Sequence, residues 1–528
     1  MRTTLVIVES PAKCKKIESY LGPGYKCIAS FGHVREVKSL DAIHREKQYA
    51  IDYEMVADTK KQKYLALIKR EIAQAEEVIL ATDDDREGEA IAWHICCLFD
   101  LPVDTTKRIV FHEITEDAIQ RAILYPRHLD KRKIHAQQAR QVLDLVVGFQ
   151  VSPVLWKHIT NSSTSPLSAG RCQTPALRLV YENQQEIDQS PGISVYHTIG
   201  YFTSKCIVFE LNHVFSEESH IRDFLQQSIG FSPTFQRSEI KKVLREPPEP
   251  LTTSRIQQLA SNEMRISPKE TMKICQTLYE AGYITYMRTD SKKYSPDFLT
   301  SVKTYVERNY GNVKYIHPNI DTLAVGYLPM SIEEKKKTNT NSTNINSKKK
   351  SSKKIAPKSA PPPQEAHEAI RPTQLSLMEL PSEMSAREKK MYRLIWETSL
   401  ESCMAPAEFY TFVASASTYH PEWLYKTTQE CIDFPGWKMV KQKFSKVNKE
   451  FSYLQQLKIG GNVPCSKIVS KVSLQGTVSH YTEAKLVQLL EEQGIGRPST
   501  FSMLVDKIQE RGYVTKQDIP GKKIQSKQ

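Results

Sequence analysis

The chain has 528 residues, 40% apolar and 25% charged, with a net charge of +13. That length exceeds one hydrophobic core and predicts roughly three or four domains, and no apolar run approaches a membrane span. The ten cysteines form no C-x-x-C pair, which excludes a zinc ribbon, gives no sign of a disulfide framework and points to a reducing, intracellular compartment, cytoplasm or nucleus. The excess charge is unevenly spread: nine lysines and no acid lie between Lys335 and Lys358. A nucleic-acid partner therefore has to be argued from particular sites and not from the sum.

In chain order, Leu5-Val6-Ile7-Val8 reads as a buried strand and not a signal peptide, because the apolar run ends at Glu9. A helical pattern from Cys14 to Leu21 follows, stopped by Gly22 and Pro23. A second strand, Val78–Ala81, leads through Thr82–Glu89 into a helix over 90–99. Two strand–loop–helix units predict a parallel α/β sheet, with sites beyond the carboxyl ends of its strands. Residues 135–159 read as a long helix broken near Pro153, and another helix runs to about Ile187. Alternation over 195–247 and again over 408–475 predicts β structure; 251–325 and the chain from Glu365 predict helices. Residues 333–363, rich in Lys, Asn, Ser and Thr, read as a disordered loop, and 481–513 as helices around a tight turn at 494–500.

Three stretches carry chemistry. Asp83, Asp85 and Glu87 follow a strand at alternate positions, and Glu9 ends the other strand. Several carboxylates at one sheet edge suit a hard cation such as Mg²⁺; acids at a solvated helix start are the bland alternative for the triplet alone. In Gly282-Tyr-Ile-Thr-Tyr-Met-Arg-Thr-Asp-Ser291, Tyr286 stands two residues before Arg288. A tyrosine hydroxyl titrates near pH ~10, and a guanidinium beside it favours the phenolate and holds a phosphate oxygen. A Tyr–Arg pair on a strand edge is the bland alternative.

Val8-Glu9-Ser10-Pro11-Ala12-Lys13 with Ala81–His94 resembles the Toprim domain of type IA DNA topoisomerases. Gly282–Ser291 resembles their active-tyrosine motif and Gln364–Thr373 their histidine motif, while Leu167–Gln173 and Tyr481-Thr-Glu-Ala with Gly494–Thr500 match two more. The matches keep the family's order from residue 5 to about 514. VESPAK and YMRTD are similar to the bacterial-type topoisomerase I branch; Met287 argues against the topoisomerase III branch, where a proline is usual. No phosphate-binding loop of the G-x-x-x-x-G-K-[ST] type occurs, which argues against reverse gyrase, a relative that needs a helicase domain.

The resemblance implies an α/β and α+β multidomain fold: a Rossmann-like Toprim domain, helical domains and a β arch forming a toroidal core. The expected domains are Toprim over 1–155, a helical DNA-groove domain over 156–196 and 476–528, a β-rich arch over 197–250 and 405–475, and a tyrosine domain over 251–404. Relatives continue past the point where this chain stops, so the groove domain is expected to be incomplete at its C-terminal end. The implied function is ATP-independent relaxation of negative supercoils, with Mg²⁺ as cofactor and single-stranded regions of supercoiled DNA as partner, by a monomer that touches no membrane. Tyr286 would cut one strand through a 5′-phosphotyrosine, and Arg288 would stabilise the phosphorane. Lys13 would serve the leaving 3′-oxygen, and Glu9 and His367 would support catalysis. Glu9, Asp83, Asp85 and Glu87 would hold the metal. His33, Arg35, Ala139, Arg140, Leu143, Gly148, Leu155, Ser168, Ala169, Gly170, Arg171, Cys172, Gln173, Arg288, Arg371 and Arg497 would contact DNA. A topoisomerase III-like decatenase and a non-catalytic DNA clamp are the alternatives.

Overall fold

The computed structural model describes residues 3–159, 167–325, 368–442 and 448–521. His367 and the lysine-rich loop lie outside the described residues. None of the described helices is long and apolar enough to cross a membrane.

The first sheet is parallel, in the order β2-β1-β7-β8: β1 (Thr4–Val8), β2 (Tyr25–Ala29), β7 (Glu77–Ala81) and β8 (Lys107–Arg108). Two small ribbons intervene, β3 (Arg35–Glu36) with β6 (Glu54–Met55) and β4 (Ile43–His44) with β5 (Ala50–Ile51). The central strands β1 and β7 are apolar on both faces because both faces are covered. Leu5, Ile7 and Leu80 pack into one core with Ile91 and Ile95 of helix α3 (Arg86–Leu98). Val6, Val8 and Ile79 pack into another that continues into the helices around Tyr286. Helix α1 (Pro11–Leu21) begins three residues before the expected Cys14, since Ser10 caps it and Pro11 suits its first turn. Helices α2 (Thr59–Gln74) and α4 (Glu116–Leu124) complete this part.

Helix α5 (Lys131–His158) runs through Pro153 without the expected break. Pro153 lacks one helical hydrogen bond, but the last turns are tied down from outside. Ser152 Oγ accepts from Ala169 N at 3.1 Å, and Trp156 Nε1 donates to Leu167 O at 2.6 Å. Helix α6 (Gln173–Gln189) packs with α13 (Glu483–Glu492) and α14 (Phe501–Glu510), joining sequence-distant segments around one core.

The second sheet has seven antiparallel strands: β9 (Ile193–Phe202), β10 (Ile207–Phe215), β11 (Phe235–Arg237), β12 (Lys241–Arg245), β13 (Ala407–Ser417), β14 (Leu424–Phe434) and β15 (Cys465–Gln475). The two β stretches read from the sequence thus form a single sheet. Each also holds a helix that alternation hid: α7 (Glu218–Gln227), burying Ile221 and Phe224, and α12 (Lys449–Gln456), burying Phe451 and Leu454. In both, the buried pair is three residues apart, a helical repeat too short to register beside long strands. Between the two β stretches lie α8 (Thr253–Met264), α9 (Pro268–Glu280), α10 (Pro296–Tyr310) and α11 (Ala386–Ser402), a helical lobe that carries Tyr286.

Candidate active site and nucleic-acid groove

Glu9 follows β1, and Asp83 and Asp85 follow its hydrogen-bonded neighbour β7. Asp85 caps α3 by accepting from Gly88 N at 2.8 Å. Gly88 is required there: a Cβ would lie 2.1 Å from Asp83 O. The turn is braced from beneath by Arg108, fully buried, which donates to Asp83 O at 2.8 Å and pairs with buried Glu89 at 2.8 Å. Asp84 faces the other way, toward Arg127 at 2.6 Å and Lys133 at 3.2 Å. Lys13, also fully buried, places its ammonium on Asp83 Oδ1 and lies 5.1 Å from the centre of the Tyr279 ring. Burial, then Asp83 and in smaller measure Asp85, raise the Glu9 carboxyl to about 7 against the pull of Lys13.

The 282–291 segment crosses this carboxylate edge as irregular backbone. Gly282 enters at φ +73°, where a Cβ would collide with Ile114 O at 2.4 Å. Tyr286 N donates to His112 O at 2.8 Å, and Thr285 N to Arg371 O at 2.9 Å. Thr253 Oγ accepts from Thr289 N at 2.8 Å and donates to Met287 O at 2.7 Å, fixing the turn beyond the tyrosine. Tyr286 is only 4% exposed. Its hydroxyl donates to Asp85 Oδ2 at 2.6 Å, and Arg288 Nη1 lies 3.4 Å from the same oxygen.

The electrostatics differ from expectation at one point. Arg288 does favour the phenolate, but burial and the Asp85 charge outweigh it and push the Tyr286 hydroxyl well above its ordinary value. Burial also opposes charge on Asp85, yet Arg288, the Tyr286 hydroxyl and the Gly88 amide together hold its carboxyl below the usual range. In this arrangement the tyrosine is protonated and Asp85 is the acceptor of its hydrogen bond.

Beside it opens a cleft of about 360 Å³. Its walls include Ala139, Arg140 and Leu143 of α5, Arg171 and Cys172 at the start of α6, Arg288, and the turn Gly494–Thr500 with Arg497. Tyr286 and the cleft meet at Asp85 and Arg288.

Comparison with known proteins extends this arrangement beyond single residues. A DNA topoisomerase family model matches residues 128–527, and a Toprim domain model matches residues 4–114. The chain is a member of the type IA DNA topoisomerase family. It is 33% identical to the proteins named DNA topoisomerase 1 of Rickettsia typhi and Rickettsia prowazekii, over 97% of its own length. It spans 64% of each of those relatives. The solved structure of full-length topoisomerase I from Thermotoga maritima superposes with a TM-score of 0.77 at 30% identity, covering 97% of this chain and 79% of that one.

For this topoisomerase-family chain most of the expected site residues fall into three groups. Glu9, Lys13, Asp83, Asp85, Tyr286 and Arg288 are brought together around one buried point. Ala139, Arg140, Leu143, Arg171, Cys172 and Arg497 share the cleft, and Leu143, 47% exposed, faces outward and is not core. Ser168, Ala169, Gly170 and Gln173 form the loop against α5, with Gln173 Nε2 donating to Ser168 O at 2.9 Å. Gly148 and half-buried Leu155 lie on α5 farther along; a Cβ at 148 would lie 3.9 Å from Ala169 O, an ordinary contact, so the close approach expected of this glycine is not required by the loop.

The remainder sit elsewhere. Glu87 turns from the other carboxylates toward His33 at 3.3 Å, Gln137 at 3.1 Å and Arg140 at 3.7 Å, on the groove side. It is the second residue of α3, so the helix has already rotated it away from Asp85. Arg35 is stacked between Tyr53 and Trp93, and its Nε donates to His94 Nδ1 at 3.0 Å. Burial, with Arg35 and His33 nearby, lowers His94 to about 3 and keeps it a neutral acceptor. Arg371, expected on DNA, is buried between Glu368 and Glu113. Arg108, Glu89, Thr253, Glu113 and Asp144, which pairs with Arg171 at 2.9 Å, were not legible as site residues. Each depends on a partner far away in the chain, so no local spacing marks it.

Among the described residues no three His, Cys, Asp or Glu converge as metal ligands. Glu9, Asp83 and Asp85 nevertheless fit a hard divalent cation: all are oxygen donors, and both aspartates raise the Glu9 carboxyl. Their oxygens are here met by the Lys13 ammonium, the Tyr286 hydroxyl and Arg288.

Proposed function

We propose that the chain is an ATP-independent topoisomerase I that cuts one DNA strand through Tyr286, passes a strand and reseals, relaxing negative supercoils. The observation that carries this reading is the Tyr286 hydroxyl held 2.6 Å from Asp85, which with Arg288 borders a cleft also lined by Arg140, Arg171 and Arg497. Single-stranded DNA enters the cleft, with Arg140, Arg171 and Arg497 on phosphates and Leu143 against a base. The Tyr286 oxygen attacks phosphorus while its proton leaves to water, since Asp85, held below the usual carboxyl range, is a poor acceptor. The bond to the 3′-oxygen breaks, and that oxygen takes a proton from Lys13. Arg288 neutralises the phosphorane oxygens. Resealing reverses each step, so the ester keeps the bond energy. Mg²⁺ held by Glu9, Asp83 and Asp85 would supply positive charge for aligning the 3′-hydroxyl during resealing; Glu87, turned to the groove, is left out of that set.

The four-part division into Toprim, groove, arch and tyrosine domains is part of the same proposal, supported by separate cores for the arch strands and the groove helices. We take the acting species to be a monomer. The test is gel relaxation of negatively and positively supercoiled plasmid with Mg²⁺ and no ATP. Relaxation of negative supercoils with a denaturation-resistant protein–DNA adduct is expected; no adduct from the parent protein would overturn the reading.

A further inference from the structure

Tyr286 is buried and its hydroxyl is occupied by Asp85, so no phosphodiester reaches it until the helical lobe and the Toprim sheet part. Several contacts cross that seam. Lys16 Nζ donates to Ala281 O, Tyr286 N to His112 O at 2.8 Å, and Arg121 pairs with Asp297 at 3.3 Å. The last pair is solvent-exposed on both sides and holds little. The buried charge at the seam is different. Arg371 Nη1 lies 3.1 Å from Glu113 Oε2, with the arginine side chain 5% and the glutamate 17% exposed.

We propose that Glu113 and Arg371 form a reversible latch that holds the Tyr286 seam shut, so that Arg371 is a positioning residue and not a DNA contact. This rests on the strand-cutting reading for its purpose but not for its test.

The asymmetry of the contacts is what makes the pair a latch. Arg371 stays in its own lobe: one edge of its guanidinium donates to both Glu368 oxygens, Nε at 2.8 Å and Nη2 at 2.9 Å, and Nη2 also to Ser295 Oγ at 3.2 Å. Its guanidinium also lies 4.7 Å from the Phe298 ring. When the lobes part, the guanidinium keeps a buried counter-charge. Glu113, held by Thr115 Oγ at 3.2 Å, is left facing the open groove of about 1110 Å³ between α4 and α10 that both residues line. Neither partner ends up buried and uncompensated, which is the costly outcome for an ion pair. Arg108 and Glu89 are the opposite case: both are fully buried, both lie on the Toprim side, and nothing at the seam separates them.

Adjacent amides read the seam directly. Tyr286 N is bonded across it to His112 O, whereas Thr285 N is bonded within the lobe to Arg371 O. Hydrogen exchange at single-amide resolution on the DNA-free full chain compares the parent with Glu113→Gln, which keeps the shape and removes the charge. Tyr286 N should exchange about tenfold faster in the variant, with Thr285 N unchanged. Asp297→Asn, which breaks only the exposed pair, should move neither. An unchanged Tyr286 rate, equal acceleration of both amides, or an equal effect from Asp297→Asn would overturn the latch. The measurement involves no DNA, so it fails or succeeds separately from the adduct assay.

Discussion

The cleft and the tyrosine pocket adjoin at Asp85 and Arg288 but are in opposite states. The cleft is open: Leu143 is 47% exposed, and the Arg140 and Arg171 side chains are 29% and 38% exposed beside Asp144. The pocket is shut: Tyr286 is 4% exposed, Lys13 is on Asp83, and Asp85 holds both the hydroxyl and the guanidinium. The cleft is open to solvent, and its Arg140 and Arg171 both pair with Asp144. A buried, protonated tyrosine does nothing until its surroundings move. Under the proposed function the difference separates affinity from chemistry: binding would belong to the open surface, cutting to the one that has to be opened.

The largest expected effect removes the chemistry and spares the cleft. Tyr286→Phe should abolish the covalent adduct while single-strand affinity by fluorescence anisotropy stays within about twofold. The lost neutral–charged hydrogen bond costs about 1.5–3 kcal/mol, moderated because Asp85 retains Arg288 and Gly88 N. An adduct from that variant would join what the comparison separates.

Next is the double change Asp83→Asn with Asp85→Asn. Asparagine caps a helix as well as aspartate, so α3 should stay folded. Plasmid relaxation should fall below detection in low Mg²⁺ while cleavage of a single-stranded oligonucleotide remains visible. Relaxation at the parent rate would reduce the carboxylates to structure.

Smaller is the effect of unloading the cleft. Arg140→Ala and Arg497→Ala should each weaken single-strand binding several-fold at low salt. Each should also flatten the plot of log affinity against log salt by about 0.7. An unchanged slope would place the phosphates elsewhere.

The smallest is a pH effect confined to the pocket. The folded Glu9 carboxyl titrates near 7 against an ordinary 4.5, so the folded state binds more protons between those values. Glu9 therefore favours folding at low pH, and that contribution is lost as pH rises from 4.5 through about 7. Glu9→Gln mimics the protonated form. Calorimetry at pH 6 and pH 8 without Mg²⁺ should show a melting temperature that falls more in the parent than in the variant. Equal falls would mean the carboxyl is not crowded.

The sequence by itself determined the local things. Strand ends placed Glu9 and the Asp83 turn at one edge, because a parallel strand exposes its carboxyl end in a known direction. The Gly282–Ser291 and Gly494–Thr500 motifs were legible because turn chemistry and functional side chains sit within a few residues. Helices α7 and α12 were lost because a two-turn helix shows only one buried pair. What only the tertiary structure decided is charge state and access. Arg288 stands two residues from Tyr286, which suggested a phenolate. Burial by the helical lobe and the approach of Asp85, 201 positions away in sequence, reverse that sign. Arg371, expected as a DNA contact, is likewise found paired, with Glu113 from the Toprim side and Glu368 of its own lobe. Proton affinity depends on everything within a few ångströms, and a chain of this length sets those neighbours by folding and not by spacing.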